Sequence, residues 1–252
     1  VARSADAGRL RLRRRLLATA TALLAVPLAG CTTTQHEAQR EQLDSARLRA
    51  ALAGTHVQVP GSLVRPTGIA TVSNGRQTGF IVTVRDDTRR ALADLPISVG
   101  YRTSTGRRVY LNSSAGLHYF QAHRPVVGAG KTLIWVYTTA RAMPSGARPF
   151  ALVGDRPSPP ALLTETNVRI AVEYKYGSDS RSVTVHLQNP TSVPQYQLQV
   201  YAHVRDGARY VAAGNMTVAE LGAGSKQTVT LPLVGQAGAG ALEVTAIPTI
   251  LQ

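Results

Sequence analysis

The chain has one cysteine, two methionines and three lysines in 252 residues, aromatics at 5%, and half as many acids as bases (14 against 28). Each scarcity excludes something. A lone Cys31 rules out an internal disulfide framework and any cysteine-based zinc cluster. Met143 and Met216 are far apart, which leaves no thioether and thiolate set for copper. Between residues 55 and 154 the only acids are Asp86, Asp87 and Asp94. Glycoside hydrolysis needs two carboxylates held about 5 to 10 Å apart in a cleft. Asp86 and Asp87 sit instead beside Arg85, Arg89 and Arg90, a pattern of turns and ion pairs. Long apolar runs are missing too. Residues 16–30 are uncharged, but as a helix they reach only about 23 Å, against a hydrocarbon core of about 30 Å.

What is present begins with Arg3, Arg9, Arg11, Arg13, Arg14 and Arg15 against one acid, Asp6, followed by that uncharged run. A basic stretch before a short apolar one has the layout of an export signal. It closes on Leu28-Ala29-Gly30-Cys31, which resembles a bacterial lipobox. The resemblance implies cleavage between Gly30 and Cys31, diacylglycerylation of the Cys31 thiol, and a membrane partner reached through that lipid, on the extracytoplasmic side of the cell membrane or outer membrane. Arg13-Arg14-x-Leu16-Leu17 also resembles a twin-arginine export signal, with general secretion as the other route.

Residues 35–53 hold no Gly or Pro and many helix formers, which predicts a short helical stalk ending at Gly54. From about residue 56 the period becomes two. Strands are predicted over 68–73, 79–86, 96–103, 107–112, 117–122, 132–138 and 149–153, then over 167–176, 181–189, 196–205, 209–214, 215–221, 226–233 and 241–250. Turn signals such as Ser104-Thr105-Gly106 and Gly128-Ala129-Gly130 separate them. Asp155-Arg-Pro-Ser-Pro-Pro160 reads as a stiff linker. The expected fold is all-β: two tandem antiparallel Ig-like sandwiches after a signal segment and a helical stalk. The expected boundaries are 1–30 signal, 31–54 lipidated tether, 55–154 basic sandwich, 155–164 linker and 165–252 second sandwich.

In the second half Val183-Thr-Val-His-Leu-Gln-Asn-Pro-Thr191, Leu198-Gln-Val-Tyr-Ala202, Val211-Ala-Ala-Gly214 and Leu221-Gly-Ala-Gly-Ser225 follow in order. Over about 70 residues this resembles the FxLYD-type Ig-like envelope domains of bacteria, with Leu198–Ala202 in place of the naming string. The resemblance implies a fold and an envelope setting, and assigns no functional residue.

Catalytic patterns do not emerge. Gly128-Ala-Gly-Lys-Thr132 ends like a phosphate-binding loop, but Pro125 stands where the first glycine belongs and a strand pattern follows. No histidines have the i, i+4 spacing of a zinc hydrolase, and no Gly-x-Ser-x-Gly occurs. His186 and His203 share the outward parity of two strands that would hold a metal between them only if adjacent. No cofactor, metal or catalytic residue is expected, and export disfavours nucleic acid as a partner.

The charge is uneven. Residues 55–160 hold thirteen bases and four acids, whereas 161–252 hold six of each. Arg85, Arg89, Arg90, Arg107 and Arg108 are the densest basic group, and they are the candidate contacts to wall polymer or anionic lipid headgroups. The function expected is that of a non-catalytic, lipid-anchored envelope protein that binds a protein or anionic polymer partner or has a structural role. The alternatives are a glycan-binding module using Tyr101, Tyr110, Tyr119, Phe120, Trp135 or Tyr137, and, ranked below it, a secreted enzyme whose site no motif marks.

Overall fold

The computed structural model describes residues 41–42, 44–54, 56–89, 91–155, 169–238 and 240–249. Gly30, Cys31, Arg90 and most of the Pro-rich linker lie outside them. Residues 41–42 and 44–53 are helical, and Gly54, at φ 77°, ends the helix with its N–H on the Ala51 carbonyl.

The first sandwich is built from β1 (Val64–Ser73), β2 (Thr78–Asp86), β3 (Leu92–Arg102), β4 (Arg108–Tyr110), β5 (His123–Val127), β6 (Thr132–Thr139) and β7 (Arg148–Val153). One sheet runs β1-β2-β6. The other is centred on β3, which pairs with β5 over Leu92–Pro96 and with β4 and β7 further along. Where β4 leaves β3, the buried Asn112 side chain takes over the ladder. Its Oδ1 accepts from Val99 N at 2.8 Å, and its Nδ2 donates to Ile97 O and Gln121 O.

The second sandwich pairs a sheet of β8 (Ala171–Tyr176), β9 (Ser182–Gln188) and β12 (Lys226–Pro232) with one of β10 (Gln195–Asp206), β11 (Arg209–Leu221), β13 (Val234–Gly235) and β14 (Ala241–Ile247). In β9 the apolar alternation settles the facing: Val183, Val185 and Leu187 are buried while His186 and Gln188 are exposed. Asn189 ends that strand as its turn residue, donating to the Val193, Leu221 and Gly222 carbonyls. The hydroxyls of Tyr174 and Tyr176 reach across to the carbonyls of Leu242 and Gly240, joining the two sheets along one side.

The two sandwiches pack face to face. Tyr201, Ala213, Val234 and Ile247 of the second belong to the same buried cluster as Phe80, Val82 and Trp135 of the first. Gly79 is what permits the approach, since a Cβ there would lie 3.2 Å from the Ala213 Cβ and 3.0 Å from Val72. Across the junction the Asn215 Oδ1 accepts both the backbone N–H (3.0 Å) and the hydroxyl (2.7 Å) of Thr138. The strands in the middle of this stack, β2 and β10, are therefore buried on both faces, and their burial does not alternate.

Two expectations fail locally. Residues 117–122 are not a strand; the chain makes one 3-10 turn there, Tyr119–Gln121, which seats the Phe120 ring in the interior. The strand follows immediately as β5, whose Arg124 and Pro125 give it the look of a loop in sequence. Residues 209–214 and 215–221 form the single strand β11.

Candidate functional site: an acid-free arginine end

The register of β3 decides the charge geometry. Arg102 is directly opposite Arg108 on β4 and Arg148 on β7. Directly paired residues share a face, and adjacent strands lie about 4.8 Å apart, so three arginine side chains leave the same face of the sheet abreast. Two residues along, the next row on that face is Tyr110, Gly100 and Phe150. Gly100 has no side chain between them, and the two rings meet edge to face at 5.1 Å. A Cβ on Gly100 would fall 1.9 Å from the Val109 carbonyl oxygen. The guanidinium carbons of Arg102 and Arg108 both lie 5.9 Å from the centroid of the Phe150 ring, which is itself only 7% exposed. Arg108 is further pinned by its Nη1 to the Gln58 carbonyl at 3.1 Å.

Arg107 lies in the hairpin turn at this end, and Arg76 and Arg141 flank strand ends that also finish there. Among the described residues no carboxylate lies within ion-pair distance of Arg102, Arg107, Arg108 or Arg148. The acids of this sandwich are elsewhere. Asp86, Asp87 and Asp94 belong to the opposite end, and the Asp155 carboxylate accepts from the backbone of Ser62 and Leu63.

The five arginines singled out from sequence do not form one patch. Arg107 and Arg108 belong to the acid-free end. Arg85 closes β2 near the start of β3, about 33 Å away along that strand. There Asp87 neutralises it, 2.8 Å from Arg85 and 3.0 Å from Arg65. Arg89 is exposed in the following bend, and Arg90 is outside the described residues. Arg102 and Arg148 were not anticipated. Arg102 was within reach, because the Ser104-Thr105-Gly106 turn sets it opposite Arg108. Arg148 is not, since its pairing joins residues 46 positions apart.

The other candidates disperse. β9 and β10 belong to different sheets, so His186 and His203 do not meet. His186 instead contacts the Thr228 hydroxyl at 2.9 Å, and His203 lies 3.4 Å from Glu243. Among the described residues there is no group of three His, Cys, Asp or Glu side chains placed to hold a metal. Phe120, Trp135 and Tyr137 are buried, and Tyr119 stacks on His123 at 3.8 Å, so they present no row of sugar-binding rings. Gly128–Thr132 is a turn that carries the chain from β5 in one sheet to β6 in the other, with Gly130 at φ 63°.

One cation is buried rather than displayed. Arg124, 5% exposed, donates to the Val126 and Ile134 carbonyls and lies 5.4 Å from the Tyr201 ring centroid. Desolvation lowers its pKa to about 10, with the neighbouring Tyr201 acting the other way. The Tyr201 hydroxyl is pushed up to about 12 by burial, against the pull of Arg124 and the Trp135 indole. Both groups keep their ordinary charge at neutral pH, and the pair belongs to the junction of the sandwiches.

No family model matches the chain, and no curated protein does. A solved structure that does match is the C-terminal globular domain of an oligosaccharyltransferase from Pyrococcus abyssi, at 11% identity and a TM-score of 0.24. The match covers 78% of this chain and about half the length of that one. No function is read from it.

Proposed function

We propose that this chain is an exported, lipid-anchored envelope protein without a catalytic role, which holds a protein or anionic polymer partner against the arginine end of its first sandwich. One observation carries the reading: Arg108, Arg102 and Arg148 stand in register with no carboxylate among the described residues to neutralise them, while the described acids of the same sandwich lie at its other end. Like charges directly opposite one another on a sheet are destabilising. A fold that keeps three of them side by side, two over one aromatic ring, has a face that gains most when an anion covers it. The signal-like stretch and the lipobox-like Leu28-Ala29-Gly30-Cys31 supply the envelope setting.

The test has two arms. Growth on a labelled fatty acid should label the protein, and Cys31→Ser should abolish the label; an unlabelled protein refutes the anchor. Crosslinking in cells should capture an anionic polymer or an acidic protein, and the Arg102→Gln, Arg108→Gln, Arg148→Gln variant should lose it. Equal capture by that variant refutes the site.

A further inference from the structure

We infer that the arginine end docks on the phosphate headgroups of an anionic bilayer, the membrane in which a lipid on Cys31 would be anchored; this rests on the reading above and names the partner of that same face. Three features of the face converge on a lipid surface rather than on a soluble polymer.

The first is where the chain arrives. Residues 56–61 cross the outer face of the β4-β3-β7 sheet beside the arginine row. Val57 N donates to the Ser98 hydroxyl on β3, Gln58 O accepts from Arg108, and Gly61 N donates to Val153 O on β7. The tether therefore joins the sandwich next to the row. Residues 31–40 add at most about 35 Å when extended, and the helix before Gly54 about 20 Å, so an anchor at Cys31 keeps this face within reach of the headgroups.

The second is an apolar residue among the cations. Val59 follows directly on Gln58, the residue that holds Arg108, and it is 77% exposed. A phosphate polymer in water offers that side chain nothing. A bilayer offers the boundary between headgroup and acyl chain, the environment sought by apolar side chains flanked by basic ones.

The third is the chemistry of the row. Guanidinium groups match phosphate oxygens with paired N–H donors. Arg102 and Arg108 are held over Phe150 before any ligand arrives, and His56 packs edge-on against Tyr110 at 3.8 Å, closing the aromatic floor. The second sandwich carries no net charge, so attraction to an anionic surface pulls on the first sandwich alone.

The experiment uses the full protein as purified from cell membranes. Cys31 is the only cysteine, so once it is acylated a Val59→Cys variant carries a single polarity-sensitive fluorophore. The labelled protein is reconstituted into vesicles of phosphatidylcholine alone or with phosphatidylglycerol. The expected result is a blue-shifted probe, quenched by lipid-borne quencher, in the anionic vesicles only, and reversed by salt. Each arginine near such a surface is worth about a fivefold change, so Arg102→Gln, Arg108→Gln, Arg148→Gln should lower the docked-to-free ratio about a hundredfold. Arg85→Gln with Arg89→Gln, at the opposite end, should leave it within about threefold. Equal docking in neutral vesicles, or equal losses from the two sets of substitutions, overturns the inference. If soluble polyphosphate binds in an arginine-dependent way while the probe never senses lipid, membrane docking falls and the anionic-polymer reading stands. If the purified protein lacks the lipid mass, or neither probe binds, both fall.

Discussion

One polar contact between the sandwiches depends on a single acceptor atom. Asn215 Oδ1 accepts two hydrogen bonds from Thr138, and Asn215→Ala removes both. A lost intramolecular hydrogen bond costs about 1 kcal/mol net, and a partly buried N–H left without an acceptor costs more. About 2 kcal/mol of destabilisation is expected. For a body of this size the urea dependence is about 3 kcal/mol per molar, so the midpoint should fall by about 0.7 M with an unchanged slope. Because Tyr201, Ala213, Val234 and Ile247 share the first sandwich's buried cluster, fluorescence of Trp135 in the first sandwich and circular dichroism of the whole should report one coincident transition. Thr138→Val removes the hydroxyl alone, and the double variant should show a coupling of about 1 kcal/mol. A midpoint unchanged by Asn215→Ala, or two transitions of which only one moves, would refute the packing described here.

Gly100→Ala should be far more harmful than a surface Gly-to-Ala change such as Gly68→Ala, where a Cβ meets only ordinary contacts. A Cβ on Gly100 collides with the Val109 carbonyl, and a melting temperature lowered by several degrees together with weaker oxyanion binding is expected, read by calorimetry and titration. Burial lowers the pKa of His118, and for His203 the same effect, aided by Arg205, prevails over Glu243, so both stay neutral in the fold below the usual histidine value near 6.5. The unfolded chain then binds more protons, so stability present above about pH 6.5 should fall as pH drops through that value; His118→Gln with His203→Gln should flatten this limb of a pH series of denaturation curves. Phe150→Leu should keep the sheet but remove the ring under Arg102 and Arg108, weakening binding to a phosphate polyanion several-fold with little change in the salt dependence.

How far the fold was legible follows from how each strand is buried. β9 has one face in the core and one in solvent, so its alternation marks its ends to within a residue. β3 extends four residues before its predicted start, because Leu92, Ala93, Asp94 and Leu95 are all buried and a run buried on both faces has no period. β5 went unseen for a different reason. Arg124 satisfies its guanidinium on a carbonyl of its own strand and one of β6 in the other sheet, a tertiary arrangement that no local pattern announces. The site divides in the same way. That the positive charge belongs to the first sandwich was plain from composition. Which arginines act together was not, because Arg85 is neutralised by Asp87, while Arg102 and Arg148 become neighbours only through the β3–β7 register.

If the acid-free end, and not the net charge of the sandwich, holds an anionic partner, removing charge at the two ends has unequal effects. The most direct measurement is titration of the full chain with a soluble phosphate polyanion at fixed ionic strength, comparing two variants with the natural protein. Arg102→Gln, Arg108→Gln, Arg148→Gln removes three charges at one end; Arg65→Gln, Arg85→Gln, Arg89→Gln removes three at the other. The predicted result is loss of binding by at least tenfold in the first and near-natural affinity in the second. Equal weakening in both would mean that binding follows total charge, and would contradict the assignment of the site.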